Sequence, residues 1–234
     1  MTDLYPSRYP VEHPDRIQLY SMATPNGRKA GITLEELELP YEAHFVDIMA
    51  GHQYEDEFRR INPNSKIPTL VDPNGPDGAP IALMESGAIL LYLSQQKAGG
   101  RLIPAGERHH YEVLQWLFFQ VGNVGPMFGQ FGHFYKFASD KTSDSYAVER
   151  YTKETKRLLA VLDAHLEGRT FLVADEFSLA DIATFPWVMA LDFYDGKGAV
   201  EYDSFANVEP WIQRCLERPG VQRGLSVPKR PSKD

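Results

Sequence analysis

The chain has 234 residues, enough for one or two domains of about 150 residues each but not for a long repeat array. Its 24 Lys and Arg and 32 Asp and Glu residues give a formal net charge of −8, which opposes binding to nucleic acid and to anionic membranes. The single cysteine, Cys215, excludes an internal disulfide and favours a reducing compartment. Because the sequence has no signal-peptide pattern and no apolar run of about 18 residues, we expect a cytoplasmic protein.

The first hundred residues follow an α/β pattern. Residues 1–16 contain three prolines and are predicted to form an extended arm. Short apolar runs predict strands, helix-spaced apolar positions predict helices, and glycine, proline and asparagine clusters separate them. The predicted strands are residues 17–20, 41–48, 69–71 and 81–84, and the predicted helices are residues 28–37, 55–61 and 86–96. The resulting order is βαβαββα over a domain of residues 17–97.

The rest of the chain is helical in pattern. A linker is predicted at residues 98–106, and the C-terminal domain, residues 107–234, is predicted to be all α. Its predicted helices are residues 111–138, 146–166, 179–192 and 209–217. Gly125, Gly129 and Gly132 each disfavour the first of these helices by about 1 kcal/mol relative to alanine. They predict a close approach in a cleft or at a subunit contact, with irregular helix packing as the alternative.

Several classes of catalytic or binding site have no support. Of the seven histidines only His109 and His110 are adjacent, and adjacent residues on a helix face different directions. The sequence has no Gly-x-Ser-x-Gly elbow, P-loop or Rossmann glycine pattern. We therefore predict neither a metal site nor a nucleotide site.

Three local motifs stand out. The dipeptide Ile67-Pro68 joins an extended loop to a strand, an arrangement similar to the thioredoxin-like fold, where this proline is cis. Glu85 and Ser86 open a helix, so Ser86 can cap it while backbone N–H groups of the first turn bind an anion; an ordinary N-cap with a solvated Glu85 is the alternative. Residues 178–181 (SLAD) match a capping box that marks a helix start.

Together these motifs closely resemble the cytosolic glutathione transferases. The resemblance rests on residues 24–29 (TPNGRK), Ile67-Pro68, Glu85 with Ser86, and residues 178–181, and it extends over about residues 17–220. It implies a two-domain α+β fold with a thioredoxin-like N-terminal domain (βαβαββα) and an all-helical C-terminal domain. It also implies a homodimer, in which Gly125 and Gly129 would permit close helix approach.

Within that superfamily the sequence is similar to the nu class. Residues 62–68 (NPNSKIP) and 125–130 (GPMFGQ) carry this likeness. Nu-class proteins resemble glutathione-dependent disulfide reductases, which implies a disulfide-bond reductase and leaves room for transferase and peroxidase activity. Glutathione, reduced or as its disulfide, is the implied cosubstrate, and a small disulfide or an electrophile is the second substrate. A non-catalytic binding or regulatory protein with the same fold is the alternative.

The resemblance also implies which residues bind glutathione. Ser86 would hold the γ-glutamyl carboxylate, Glu85 would hold the ammonium, and the backbone of Ile67 would pair with the cysteinyl part. Lys66 and Gln53 would hold the glycyl end, and a solvated loop charge is the alternative for Lys66.

A second substrate would meet the C-terminal domain. The resemblance implies that Arg150 contacts a carboxylate of a second glutathione. An aromatic wall would lie beside it, for which core packing is the alternative; its members are Phe128, Phe131, Phe134 and Tyr135.

The nu-like resemblance assigns thiol activation to Thr24 and Asn26, whose hydroxyl and amide would donate hydrogen bonds to the glutathione thiolate. Ser21 lies close by, whereas Tyr20 lies too early in the chain. The structural alternatives are an N-cap followed by Pro25 for Thr24 and a turn residue for Asn26. Two donors of about 1.5 kcal/mol each would lower a thiol pKa of about 8.5 by roughly two units.

Overall fold

The computed structural model describes residues 4–141 and 144–231. The predicted arm and C-terminal domain therefore extend beyond the described ranges, at residues 1–3, 142, 143 and 232–234. Contacts divide the chain into two units. The first contains the residues up to Arg101 together with the segment from Pro219 onward, and the second runs from Leu102 to Arg218.

The first unit contains a four-stranded sheet within the described ranges, in the order β2-β1-β3-β4. The strands are β1 (Ile17–Ser21), β2 (Tyr41–Phe45), β3 (Thr69–Asp72) and β4 (Ile81–Leu83). β1 is parallel to β2, and β3 is antiparallel to both β1 and β4. The helices between them are α1 (Pro25–Leu37), α2 (Asp56–Ile61) and α3 (Ser86–Tyr92), and α3 continues as a π-helical segment, Leu93–Lys97. This is the thioredoxin-like βαβαββα order.

Helix α1 begins three residues before the predicted start at residue 28. Thr24 is its N-cap, with the hydroxyl oxygen accepting the Gly27 N–H at 3.2 Å, and Pro25 occupies the first helical position. Residues 25–27, which precede the predicted helix, therefore form the first turn of α1, since a threonine cap followed by proline initiates a helix. A Cβ at Gly27 would collide with the Met22 carbonyl oxygen and the Ser21 hydroxyl, so this close approach requires glycine.

The N-terminal arm, of which residues 4–16 are described, packs on the first unit. Tyr9 is buried, and its ring meets Tyr20 of β1 edge to face, with centroids 5.5 Å apart. Arg8 donates to Glu55 at 2.8 Å, and the backbone N–H of Glu12 donates to Glu42 at 2.9 Å. The arm therefore covers part of the hydrophobic core of the first unit.

The chain returns to the first unit at its C-terminal end. A short helix, α9 (Pro219–Gly224), packs against α1. Arg223 donates to Glu35 at 2.6 Å, and the Val221 N–H donates to Glu36 at 3.2 Å. The second unit, Leu102–Arg218, thus differs from the predicted continuous domain of residues 107–234. The reason is that the contacts of α9 join residues more than 180 positions apart in sequence.

The second unit is all α, as predicted. Its helices are α4 (Glu107–Phe119), α5 (Gly125–Gly132), α6 (Tyr146–Leu166), α7 (Leu179–Phe193) and α8 (Val208–Leu216). The predicted helix at residues 111–138 contains π-helical segments on both sides of α5, at Gln120–Val124 and His133–Phe137. Among the described residues, no helix is both long enough and apolar enough to cross a membrane.

The predicted capping box starts α7. Ser178 is the N-cap, and the Asp181 carboxylate accepts the Ser178 N–H at 3.0 Å. Asp181 is fully buried, which raises the pKa of its carboxyl, while hydrogen bonds from Leu172, Trp211 and Ser178 oppose that rise. One buried carboxylate therefore joins α7, α8 and the preceding loop.

The glycines of α5 serve packing inside the second unit. A Cβ at Gly125 or at Gly129 would lie 3.4 Å from the Trp187 ring, and one at Gly132 would collide with the Tyr194 ring. Their close approach is thus to side chains of the same unit, and the Gln120 amide nitrogen, 2.8 Å away, is nearest to a Cβ at Gly125. The contacts of Gly125 and Gly129 agree with the alternative of helix packing within one chain, and the subunit contact stays a prediction.

Candidate functional site

The corner between β1 and α1 presents Thr24 and Asn26. Thr24 caps α1 with an oxygen lone pair, so its hydroxyl hydrogen can still donate to a ligand. Asn26 lies in the first turn of α1, which corrects the alternative that it is a turn residue. Both side chains are half-buried, so each keeps some surface that a ligand can reach.

The neighbouring hydroxyls of β1 are inaccessible. Ser21 is fully buried, and its hydroxyl donates to the Met22 carbonyl at 3.4 Å. Tyr20 is also fully buried and stacks on His44, with ring centroids 4.7 Å apart. Burial raises the pKa of Tyr20, so its phenol stays neutral. Of the hydroxyl groups at this end of β1, that of Thr24 is therefore the one placed to meet a ligand.

A second corner lies between β4 and α3. Glu85 is exposed and is the N-cap of α3, with φ 70° and ψ 113°. Ser86 is the first residue of α3, which corrects the prediction that Ser86 caps this helix. A non-glycine residue with such dihedral angles costs about 1–3 kcal/mol, and strain of this kind is concentrated at functional sites. Glu85 thus holds its carboxylate at a strained backbone position.

The loop before β3 is held by Asn62, which is 1% exposed. Its side-chain amide donates to the Lys66 carbonyl at 2.6 Å and to the Thr69 hydroxyl at 2.8 Å. The Ile67-Pro68 peptide in this loop is cis, as the resemblance implies. Asn62 belongs to the motif of residues 62–68, whose sequence does not predict this positioning role. Asparagine before proline is a common loop pattern, so the sequence carried only a weak signal for it.

The predicted glycyl-end residues differ in their surroundings. The Lys66 side chain is exposed, which suits both a ligand contact and a solvated loop charge. Gln53 is 7% exposed and donates to the Ile48 carbonyl at 3.3 Å. Its Oε1 has no hydrogen-bond partner in the described part of the chain. Because an unsatisfied buried acceptor costs about 1–3 kcal/mol, a ligand N–H bound there would be favourable.

A buried lysine that sequence reasoning missed lies behind the second corner. Lys29 of α1 is 1% exposed, and its Nζ donates to the Ser86 hydroxyl at 3.3 Å. Burial lowers the pKa of Lys29 to about 7, opposed by the negative charge of Glu85. The available signal was its place in α1, directly before the buried Ala30, where a charged residue is unusual.

These contacts connect three of the predicted segments. Lys29 joins α1 to Ser86, and the Asn64 amide reaches the Glu85 carboxylate at 3.5 Å from the loop that contains Lys66 and Ile67. An exposed carboxylate, a serine hydroxyl and a buried amino group suit a ligand that carries both an ammonium and a carboxylate. Among residues 4–141 and 144–231, no three His, Cys, Asp or Glu side chains are grouped to hold a metal ion.

Arg150 belongs to the second unit. It is exposed on α6 and lines a cavity of about 650 Å³ with Met127, Tyr151 and Lys153 among others. Within that unit Phe134, which is half-buried, stacks on Tyr151 with centroids 5.6 Å apart.

The predicted aromatic wall is wrong for two of its members. Phe128 and Phe131 are fully buried in the core of the second unit, in agreement with the alternative prediction of core packing. Tyr135 is half-buried and stacks on Phe131 at 5.0 Å. Helix periodicity alone does not separate a core-facing aromatic residue from one that faces a cleft, since both lie on apolar faces.

Known proteins resemble both units. The glutathione S-transferase N-terminal domain family matches residues 23–96, and the glutathione S-transferase C-terminal domain family matches residues 139–219. Disulfide-bond oxidoreductase YfcG of Escherichia coli is 42% identical over 210 residues, which are 89% of this chain and 94% of that protein.

Two solved structures are similar over nearly the whole chain. A glutathione transferase of Burkholderia graminis, with two glutathione molecules bound per subunit, is 50% identical with a TM-score of 0.92, covering 95% of this chain and 92% of its own. A glutathione transferase of Pseudomonas putida, with one glutathione disulfide bound per subunit, is 48% identical with a TM-score of 0.90, covering 94% of each chain.

Proposed function

This chain belongs to the glutathione transferase family, and we propose that it is a glutathione-dependent disulfide-bond reductase. The observation that carries the proposal is the accessible Thr24 and Asn26 corner beside a buried Ser21, in a chain whose single cysteine is buried in α8. Such a protein presents hydrogen-bond donors but no reactive thiol of its own. Glutathione therefore supplies the thiol when bound, which agrees with the relatives that bind glutathione or its disulfide.

The proposed binding residues fit the ends of glutathione. Glu85 accepts hydrogen bonds from the γ-glutamyl ammonium, and the hydroxyl and N–H of Ser86 donate to the γ-glutamyl carboxylate. The backbone of Ile67 pairs with the cysteinyl peptide groups as an added strand. Lys66 and Gln53 hold the glycyl end. The buried Oε1 of Gln53, which has no partner among the described residues, supports this fit.

Thr24 and Asn26 act on the thiol. Their hydroxyl and amide donate hydrogen bonds to the thiolate and so favour its ionised form. Reduction of one disulfide consumes two glutathione thiols, whose two electrons and two protons yield two product thiols and leave glutathione disulfide. Arg150, on the second unit, is proposed to meet a carboxylate of the second glutathione.

The direct test is an assay of the purified protein with reduced glutathione and bis(2-hydroxyethyl) disulfide, in parallel with an aromatic electrophile. We expect saturable disulfide reduction well above the uncatalysed rate. Binding of glutathione without turnover of either substrate would favour the non-catalytic binding or regulatory alternative. Calorimetry that detects no binding at millimolar glutathione would contradict both.

Cys215 should be dispensable for activity. It is fully buried in α8 of the second unit and behaves as a small apolar residue. We expect Cys215→Ala to retain disulfide reduction within about twofold and to lower stability by about 1 kcal/mol, since it leaves a small cavity. Activity and the thermal midpoint are measured on the same preparation. A folded variant without activity would show that the mechanism depends on a protein thiol.

We also propose that the enzyme is a cytoplasmic homodimer, as its family resemblance implies. Sedimentation velocity at micromolar concentration should give about twice the mass of one chain. A monomer under those conditions would contradict the dimer without affecting the proposed chemistry.

A further inference from the structure

Lys29 is an unusual residue to bury. It is 1% exposed on the inner face of α1, between the half-buried Arg28 and the fully buried Ala30. Lysine is almost never fully buried unless a partner compensates its charge. Its Nζ lies 3.3 Å from the hydroxyl of Ser86, which is itself buried and follows the exposed Glu85. The amino group is thus placed directly behind a side chain that the proposed function assigns to a ligand carboxylate.

We propose that Lys29 is a positioning residue of the γ-glutamyl subsite, which orders the Ser86 hydroxyl and supplies a buried positive charge beneath the bound carboxylate. This inference rests on the proposed glutathione-binding function and extends it to a residue that does not itself touch solvent. Nζ donates to Ser86 Oγ, so the serine hydroxyl hydrogen is left to donate outward to the ligand. Lys29 therefore acts through Ser86.

The surroundings of Lys29 make its charge depend on ligand binding. Burial disfavours the ammonium and lowers the pKa of Lys29 to about 7, while the charge of Glu85 favours it. A carboxylate arriving within about 4–6 Å would raise that pKa by about one to three units. Ligand binding would then draw a proton onto Lys29 at pH values above 7, where the empty site holds mostly the neutral amine.

Other ionisable groups lie on α1 and on the elements packed against it. The elements packed against α1 are α9, α3 with its π-helical segment, and β1. Their titratable and charged side chains, with those of α1 itself, are Tyr20, Arg28, Glu35, Glu36, Glu85, Tyr92, Lys97 and Arg223. Arg223 is bonded to Glu35, and both Lys97 and Tyr92 are bonded to Asp72. Lys29 combines full burial with its contact with the Ser86 hydroxyl, and burial lowers its pKa to about 7.

The pKa of Lys29 sets the direction in which ligand affinity changes with pH. The protonated amine favours the ligand carboxylate, so affinity is highest below pH 7 and falls as pH rises through the pKa of Lys29 in the empty site. From pH 6 to pH 8 the dissociation constant should rise about tenfold in the wild type. Binding at pH 8 should take up roughly 0.8 proton per ligand if the pKa in the complex reaches about 9.

The test is calorimetric titration with S-methylglutathione, which has no ionisable thiol, in buffers of different ionisation enthalpy at pH 6 and pH 8. Lys29→Met retains the length of the side chain and removes the charge. We expect this variant to bind with nearly the same affinity at both pH values, at least tenfold more weakly than the wild type at pH 6, and to lose the proton uptake at pH 8. Thr33→Val is the matched control, because it removes a buried hydroxyl from α1 that bonds to the Lys29 carbonyl rather than to Ser86.

The outcomes separate this inference from the proposed function. Tight wild-type binding without proton uptake at pH 8 would overturn the role of Lys29 while leaving the glutathione site intact. Failure of the wild type to bind would overturn both. If Lys29→Met does not fold, the absence of proton uptake by the wild type at pH 8 still overturns the inference. Proton uptake that persists in Lys29→Met would assign the proton to the amino group of the ligand, and the inference would be wrong.

Discussion

Replacing Thr24 and Asn26 together with alanine should raise the pKa of the thiol of bound glutathione by up to about two units, from near 6.5 toward 8.5. The thiolate fraction at pH 7 would then fall roughly twentyfold, and disulfide reduction would slow with it. The higher basicity of the remaining thiolate recovers part of this loss, because nucleophilicity rises with pKa. Ultraviolet titration of the bound thiol in wild type and variant measures the shift directly.

The pH profile gives this prediction a second readout. Near neutral pH the wild type should reduce the disulfide faster than the double variant. At pH 9 the rate of the double variant should equal or exceed the wild-type rate, since bulk ionisation then supplies the thiolate. Affinity for S-methylglutathione should change little, because Glu85 and Ser86 remain. A pKa unchanged in the double variant would mean that another group activates the thiol.

Two controls separate thiol activation from helix capping. Thr24→Ala also removes the N-cap of α1, which costs about 1 kcal/mol of stability. Thr24→Ser keeps both the cap and a hydroxyl donor, so both stability and thiol pKa should stay near wild type. Ser21→Ala removes a buried hydroxyl at the same end of β1, and we expect it to leave the thiol pKa unchanged.

Glu85→Gly should weaken glutathione binding by about 30- to 150-fold while raising the stability of the protein. The affinity falls because the ligand ammonium loses its charged partner, which costs about 2–3 kcal/mol of binding free energy. The stability gain, of about 1 kcal/mol, follows because glycine, which has no Cβ, adopts the observed φ of 70° with less strain than glutamate. Calorimetry measures the first effect, and urea unfolding without ligand measures the second.

The comparison with Glu85→Ala and Glu85→Gln separates charge from backbone strain. Alanine loses the carboxylate but keeps a Cβ at positive φ, so it should bind as weakly as glycine without the gain in stability. Glutamine keeps the shape of the side chain and tests the charge alone. Wild-type affinity in all three variants would place the ammonium subsite elsewhere, and equal stability of the glycine and alanine variants would show that Glu85 is not strained.

The sequence by itself determined the order of elements and the family. The alternation of short apolar runs with helix-spaced apolar positions was sufficient to predict the order βαβαββα followed by helices. Such periodicity is local, because the apolar positions of each element show which of its faces is buried. The capping box at residues 178–181 was recognised for the same reason, since all of its partners lie within four residues. The likeness of residues 24–29, 62–68 and 85–86 to known motifs supplied the candidate site.

Only the tertiary structure decided which of the candidate residues are accessible and what lies behind them. It buried Ser21, Phe128 and Phe131, left Thr24 and Asn26 half-buried, and returned α9 to α1. It also placed Lys29 against Ser86, 57 positions away, which no local pattern reports. The physical reason is that burial and charge compensation are properties of contacts between distant segments. A window of sequence records which residues can face a core, but the packing of distant segments decides which of them do.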